Sequence, residues 1–213
     1  MIEVNKELED YILKHTETED SVLKDLTRET HVKMLRPRML SGHLQGKFLK
    51  MTCQMIRPLR ILEIGTYTGY SAISMAMGTN EDCIIHTIDC NDELEQFTRK
   101  YIKRSGFEDR IQFHIGDALK IIPQLKESFD LVFIDAAKDQ YTDYYDAVLP
   151  KLKSGGFILA DDVLWDGKVV NEAENNDKQT RGILFFNKLI QEDSRVENLI
   201  LPIRHGLMMI RKK

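Results

Sequence analysis

Four residues in the second half of the chain have types and spacing that could do chemistry together: Asp135, Lys138, Asp161 and Asp162. Asp135 closes an apolar run at residues 131–135, and Lys138 follows three positions later. Asp161 and Asp162 close the next such run, at residues 157–160. If these runs are neighbouring strands, their carboxylates converge. Three carboxylates packed without a cation repel one another and acquire raised pKa values. A hard, oxygen-seeking divalent ion such as Mg²⁺ resolves that conflict, with water or substrate completing its coordination. The plainer account is that Asp161 or Asp162 begins a loop turn and that Lys138 and Asp139 are solvated.

A second group lies upstream. Residues 63–71 read Glu-Ile-Gly-Thr-Tyr-Thr-Gly-Tyr-Ser. Gly65 and Gly69 permit a tight turn and close backbone approach. Their spacing is G-x-x-x-G, not the G-x-G-x-x-G of a dinucleotide site, and by itself it is turn chemistry. Asp89 stands 24 residues after Gly65, at the end of another apolar run. An acid there either accepts hydrogen bonds from ribose hydroxyls or sits at a helix N-terminus where the macrodipole favours it. Asp117, in Gly116-Asp117-Ala118, either accepts the exocyclic amine of adenine or caps the next helix. Together, three successive runs end in groups suited to one adenosine-like ligand.

These residues need a scaffold that brings the ends of several strands together. Strands are predicted at Arg60–Ile64, Ile84–Asp89, Ile111–Ile115, 131–135 and 157–160. Helices are predicted between them, at 70–77 before Gly78 and at 92–105, with Asn91 as N-cap and Gly106 past the end. A further helix at 138–149 would start at Lys138. Alternation of this kind implies a doubly wound, mostly parallel α/β sheet, whose ligands bind beyond the carboxyl ends of the strands. Residues 1–58 read as helical. Within 41–58, Leu44, Phe48, Met51 and Met55 recur at helical spacing, a stripe expected to pack into the core. The tail has a helix at 180–191, then runs at 196–203 and 207–211 joined by Arg204-His205-Gly206. Runs so close can pair only as an antiparallel hairpin.

Composition excludes some classes. A chain of 213 residues with 42% hydrophobic and 30% charged residues suits one globular domain, 1–213. A formal net charge of -4 gives no strongly basic surface for tight non-specific nucleic-acid binding, although a local basic patch is compatible with it. Cys53, Cys83 and Cys90 are odd in number and form no C-x-x-C, so neither a disulfide framework nor a thiolate metal site is indicated. Residues 1–10 are acidic and lack the pattern of a secretory leader, and no apolar stretch approaches the roughly 20 residues needed to span a bilayer. The expected setting is the reducing cytoplasm.

Three segments in this order carry a resemblance: residues 62–71, Leu-Glu-Ile-Gly-Thr-Tyr-Thr-Gly-Tyr-Ser; residues 133–141, Phe-Ile-Asp-Ala-Ala-Lys-Asp-Gln-Tyr; and residues 161–167, Asp-Asp-Val-Leu-Trp-Asp-Gly. The chain resembles the cation-dependent O-methyltransferases related to caffeoyl-CoA and catechol O-methyltransferases, in particular their small bacterial members, from about His15 onward. The resemblance implies a seven-stranded Rossmann-like class I methyltransferase fold, commonly a homodimer, with residues 1–58 as a substrate and dimer segment. It implies that Gly65, Ser71, Asp89, Asp117 and Ala118 hold S-adenosylmethionine, with Glu63 and Asp135 in the same set and Met39 near the cofactor. It makes Asp135, Asp161 and Asp162 the ligands of Mg²⁺ (or Mn²⁺ or Ca²⁺), and Lys138 the general base. Two departures stand out. The family usually has Asp-Asn at the position of Asp161-Asp162, and often Gly-Asp-Gly where this chain has Arg204-His205-Gly206.

The chemistry implied is methyl transfer from a sulfonium to an oxygen. A divalent ion lowers the pKa of a bound hydroxyl, Lys138 removes its proton, and the site aligns oxygen, methyl and sulfur. Trp165 and the polar loop 171–179 are candidates for a substrate lid; ordinary packing is the alternative for Trp165. The expected acceptor is a catechol-like or caffeoyl-like small molecule. A second reading is a hydroxylated wobble uridine of tRNA, which some bacterial relatives methylate. Lys33, Arg36, Arg38, Lys47 and Lys50 lie near the expected entrance, although a solvated helix face also accounts for them. A third is a non-catalytic adenosine-binding module, against which the intact lysine and carboxylate set argues.

Overall fold

A computed structural model of the chain describes residues 5–171, 173–174 and 176–213. Three helices come first: α1 (Lys6–Lys14), α2 (Ser21–Lys33) and α3 (Gly42–Ile56). The α/β unit then runs β1 (Arg60–Ile64), α4 (Tyr70–Ala76), β2 (Ile84–Asp89), α5 (Glu95–Arg104), β3 (Ile111–Ile115), α6 (Ala118–Ile121), β4 (Phe129–Ile134), α7 (Tyr141–Val148), β5 (Leu152–Ala160), α8 (Lys178–Glu192), β6 (Val196–Leu201) and β7 (Leu207–Lys212). The seven strands form one sheet in the order β3-β2-β1-β4-β5-β7-β6. The first five are parallel, and β7 pairs antiparallel with both β5 and β6. The strand order reverses between β1 and β4, so a crevice opens beyond their carboxyl ends.

The predicted strand positions hold, with β6 ending at Leu201 and two larger shifts. β4 begins at Phe129 and β5 at Leu152, because Phe129 pairs with Leu152 across a register irregularity. The stretch Lys153-Ser154-Gly155-Gly156 carries no apolar alternation, so pairing rather than pattern makes it a strand. The two faces of the sheet bury separate apolar clusters. One includes Val132, Ile134, Tyr141, Tyr145 and Phe186 beneath α7 and α8; the other includes Leu49, Ile61, Tyr70, Ile73 and Phe133 beneath α3 and α4.

Of the stripe on α3, only Phe48 packs against the core. Leu44, Met51 and Met55 are exposed, Met55 to 74%, and Phe48 is half-buried. The inward face is instead Gln45, Gly46, Leu49, Thr52 and Cys53. Small and polar residues serve there because α3 lies close against α4: a Cβ at Gly46 would stand 2.6 Å from the Tyr70 ring. Among the described residues, no helix is long and apolar enough to cross a membrane.

Candidate active site

The ends of β1, β2, β4 and β5 are tied edge to edge by backbone hydrogen bonds. Gly65 N donates to Ile88 O at 2.9 Å, Asp135 N to Ile64 O at 2.8 Å, and Asp161 N to Ile134 O at 2.9 Å. A cavity of about 860 Å³ opens over this edge. Its floor at β1 requires glycine. Gly65 has φ +100°, and a Cβ there would stand 1.9 Å from the carbonyl oxygen of Asp135.

On one side of the cavity lie Gly65, Ser71, Asp89, Asp117 and Ala118, with Met39 on the rim. The carboxylate of Asp89 is fixed by the backbone N–H groups of Tyr67, at 2.7 Å, and Asn91, at 2.9 Å. A carboxylate has about four lone-pair directions, so both oxygens can still accept. Asp117 uses one oxygen to cap α6, accepting from Leu119 N at 3.0 Å, while also lining the cavity. The two alternatives for that residue are therefore compatible.

Glu63 is a correction. It does not line the cavity, because it lies one residue short of the strand end, in register with Thr87 and Phe133 inside the sheet. Its carboxyl is fully buried, and burial raises its pKa to about 8 against the opposing hydrogen bonds from Ser71 and Thr87. Its carboxylate accepts from Thr87 Oγ1 in the neighbouring strand.

On the other side, Asp135, Asp161 and Asp162 converge. One ligand atom from each lies within 4.8 Å of the others. Asp161 is 2% exposed. Burial, then the charges of Asp135 and Asp162, push its pKa up. Lys138 is also buried, and its amine lies 2.9 Å from Asp135 Oδ1 and 3.1 Å from Asp162 Oδ2. Burial alone would lower the lysine pKa, but Tyr141 and the carboxylates outweigh it and hold the amine well above its ordinary range. One ammonium, with the Arg204 guanidinium 3.9 Å from Asp161, thus faces three carboxylates. Their oxygen-only donor set and excess charge fit a hard divalent cation.

The backbone here is contorted. Asp162, Trp165, Asp166 and Arg204 all have positive φ. The hairpin turn locks this segment in place: Leu164 N donates to His205 O at 2.8 Å, and Val163 N to Gly206 O at 3.0 Å. Trp165 lines the cavity, as does Gln179 from the predicted lid loop. Glu172 and Asn175 of that loop lie outside the described residues. Sequence reasoning missed Tyr141, Gln45 and Arg204. Arg204 donates to Gln45 Oε1 and to Leu40 O at 3.2 Å, and stands 3.9 Å from Asp161. Its place in the departure from Gly-Asp-Gly was the available signal.

A family model described as O-methyltransferase matches residues 13–213. The chain belongs to that family. It is an O-methyltransferase. It is 32% identical to caffeoyl-CoA O-methyltransferase 2 of Populus trichocarpa over 205 residues, covering 91% of this chain and 83% of the relative. It is 35% identical to caffeoyl-CoA O-methyltransferase 1 of Eucalyptus globulus over 178 residues, covering 79% and 72%. Among solved structures, the O-methyltransferase from Bacillus cereus in complex with SAH superposes with a TM-score of 0.91 at 29% identity, covering 97% of each chain. The SAH-bound Podospora anserina methyltransferase PaMTH1 gives a TM-score of 0.91 at 28% identity, covering 100% of this chain and 98% of that one. These matches agree with the seven-stranded class I methyltransferase fold.

Proposed function

We propose that this O-methyltransferase takes its methyl group from S-adenosylmethionine and delivers it to one hydroxyl of a catechol-like or caffeoyl-like small molecule, with a divalent cation held by Asp135, Asp161 and Asp162. The observation that carries the reading is the convergence of those three carboxylates and Lys138 beside the glycine turn at Gly65. The SAH carried by two structural relatives supports the cofactor.

In this reading Asp89 accepts the ribose hydroxyls, Asp117 and the backbone at Ala118 meet the adenine, and Gly65 and Ser71 border the amino-acid end. S-adenosylmethionine supplies an electrophilic methyl group. The cation, Mg²⁺, Mn²⁺ or Ca²⁺, supplies Lewis acidity that lowers the pKa of an acceptor hydroxyl. Lys138 Nζ takes the hydroxyl proton. With a cation held there, Asp135 and Asp162 would attract the ammonium less, and the Lys138 amine would come nearer the range a base needs. Met39 and Trp165 exclude water from the transfer, in which opposite charges neutralise one another.

The small-molecule acceptor is favoured over RNA by the state of the basic residues. Lys33 and Lys47 are taken up by Glu29 and Glu17, each at 2.5 Å. Arg36 and Arg38 line the cavity mouth, where they suit a small anionic substituent. The exposed stripe of Leu44, Met51 and Met55 supports a homodimer formed on α3. Free thiols at Cys53, Cys83 and Cys90 suit the cytoplasm. A methyl-acceptor screen with labelled S-adenosylmethionine tests the function. Methylation of catechols and not of undermodified tRNA is expected; transfer to tRNA alone would reassign the acceptor, and transfer to neither would place the acceptor outside both classes.

A further inference from the structure

The amine of Lys138 has three polar partners: Asp135, Asp162 and the hydroxyl of Tyr141, the last at 2.7 Å. Two of these are candidate cation ligands. A cation there would draw on both carboxylates and weaken their hold on the ammonium, although each keeps a second oxygen that can accept. Tyr141 is under no such competition.

Tyr141 opens α7, three residues after Lys138, and is fully buried. Its ring packs edge-on to Phe186, with centroids 5.4 Å apart. A phenylalanine would fill that space without a polar atom, so the hydroxyl needs its own justification. It lies 2.9 Å from Asp161 O and 3.2 Å from Ile134 O. A tyrosine hydroxyl has one proton and accepts through its oxygen. The two carbonyls can only accept, so they take that proton. The oxygen is left as an acceptor, and the lysine amine is the donor facing it.

The other end of the lysine is fixed from α8. Lys138 N donates to Gln179 Oε1 at 2.9 Å. Gly182 lets the helix approach so closely that a Cβ there would stand 2.5 Å from Lys138 O. With its backbone held by Gln179 and its amine by Tyr141, the lysine keeps one place at the cavity wall.

We propose that Tyr141 is a positioning residue, whose hydroxyl holds the Lys138 amine toward the acceptor when a cation occupies Asp135, Asp161 and Asp162. The inference rests on the reading of Lys138 as the base. Two measurements test it. The first is a pair of crystal structures, wild type and Tyr141→Phe, each with Mg²⁺ and S-adenosylhomocysteine. The wild-type amine is expected within hydrogen-bonding distance of the tyrosine oxygen, and displaced or unordered in the variant. The second is kcat for 3,4-dihydroxybenzoate in wild type, Tyr141→Phe, Lys138→Met and the double variant. Tyr141→Phe is expected to lose about tenfold or more in kcat, the scale of misplacing a reacting group. KM, and Mg²⁺ affinity by calorimetry, should stay within about twofold. The double variant should be no slower than Lys138→Met. A wild-type amine that has left Tyr141 in the loaded crystal would overturn the proposal, as would an equal kcat loss from Tyr141→Phe with and without Lys138. Normal kcat in Lys138→Met would instead remove the lysine as base, while the crystal pair still decides what holds its amine.

Discussion

The two halves of the cavity are built differently. At the ends of β1 to β3, the polar groups are already satisfied by the backbone: Asp89 is fixed by two N–H groups and Asp117 caps α6. At the ends of β4 and β5, three carboxylates crowd one lysine on a backbone with left-handed residues at Asp162, Trp165 and Asp166. The first half is preorganised by the chain alone and suits recognition. Left-handed non-glycine backbone occurs in both halves, at Tyr67 in the first as well; the second adds charge repulsion. Ligand-side substitutions should therefore cost affinity, and charge-side substitutions should cost turnover.

The largest effect is expected at Asp135. Asp135→Ala removes a proposed cation ligand and a partner of Lys138, and should bring methyl transfer below detection, whereas Asp162→Asn keeps an oxygen and should retain measurable activity. Asparagine also tolerates the left-handed conformation at this position, φ 59°. Equal activity in the two variants, assayed with labelled S-adenosylmethionine, would break the division. Lys138→Met comes next. Its kcat should fall by about 10²-fold or more, the scale of losing a general base, while calorimetric affinities for S-adenosylmethionine and Mg²⁺ change only a few-fold. The loss should shrink as pH rises and hydroxide replaces the lysine.

Asp89→Ala tests the recognition half. Losing a hydrogen bond to a charged acceptor typically costs about 1.5–3 kcal/mol, or ten- to more than a hundredfold in affinity. Calorimetry should find weaker S-adenosylmethionine binding and unchanged Mg²⁺ binding; unaltered cofactor affinity in a folded variant would remove Asp89 from the site. The last effect, on stability and not on binding or turnover, concerns Glu63, whose folded pKa is raised from 4.5 to about 8. Between those values the unfolded chain binds fewer protons than the folded one, so stability falls as pH rises and levels off above about 8. The slope from this group is at most about 1.4 kcal/mol per pH unit. Glu63→Gln should flatten the decline of Tm between pH 5 and 8; an unchanged decline would show that Glu63 is ionised in the fold.

The strands and the residues at their ends were legible because short β-branched runs stop abruptly at Gly or Asp. Residue type at a strand end, read with strand adjacency, is enough to bring Asp135, Asp161 and Asp162 together. What was not legible depends on which way a side chain points and what covers it. Glu63 sits in the same motif as Gly65, but only the register with Thr87 shows that it stays inside the sheet. The α3 stripe has the right period for a buried face, yet period does not say which face is buried; Gly46 against Tyr70 decides that. Tyr141 shares a buried helix face with Tyr144, Tyr145 and Val148, and its ring is core. Only the contact between its hydroxyl and Lys138 reveals a second part.

The central claim is that turnover depends on a cation at the three carboxylates. Methyl transfer from labelled S-adenosylmethionine to 3,4-dihydroxybenzoate, measured after exhaustive chelation and again after adding Mg²⁺ or Mn²⁺, tests it most directly. Activity should vanish on chelation and return with the metal, and full activity in the chelated enzyme would contradict the account.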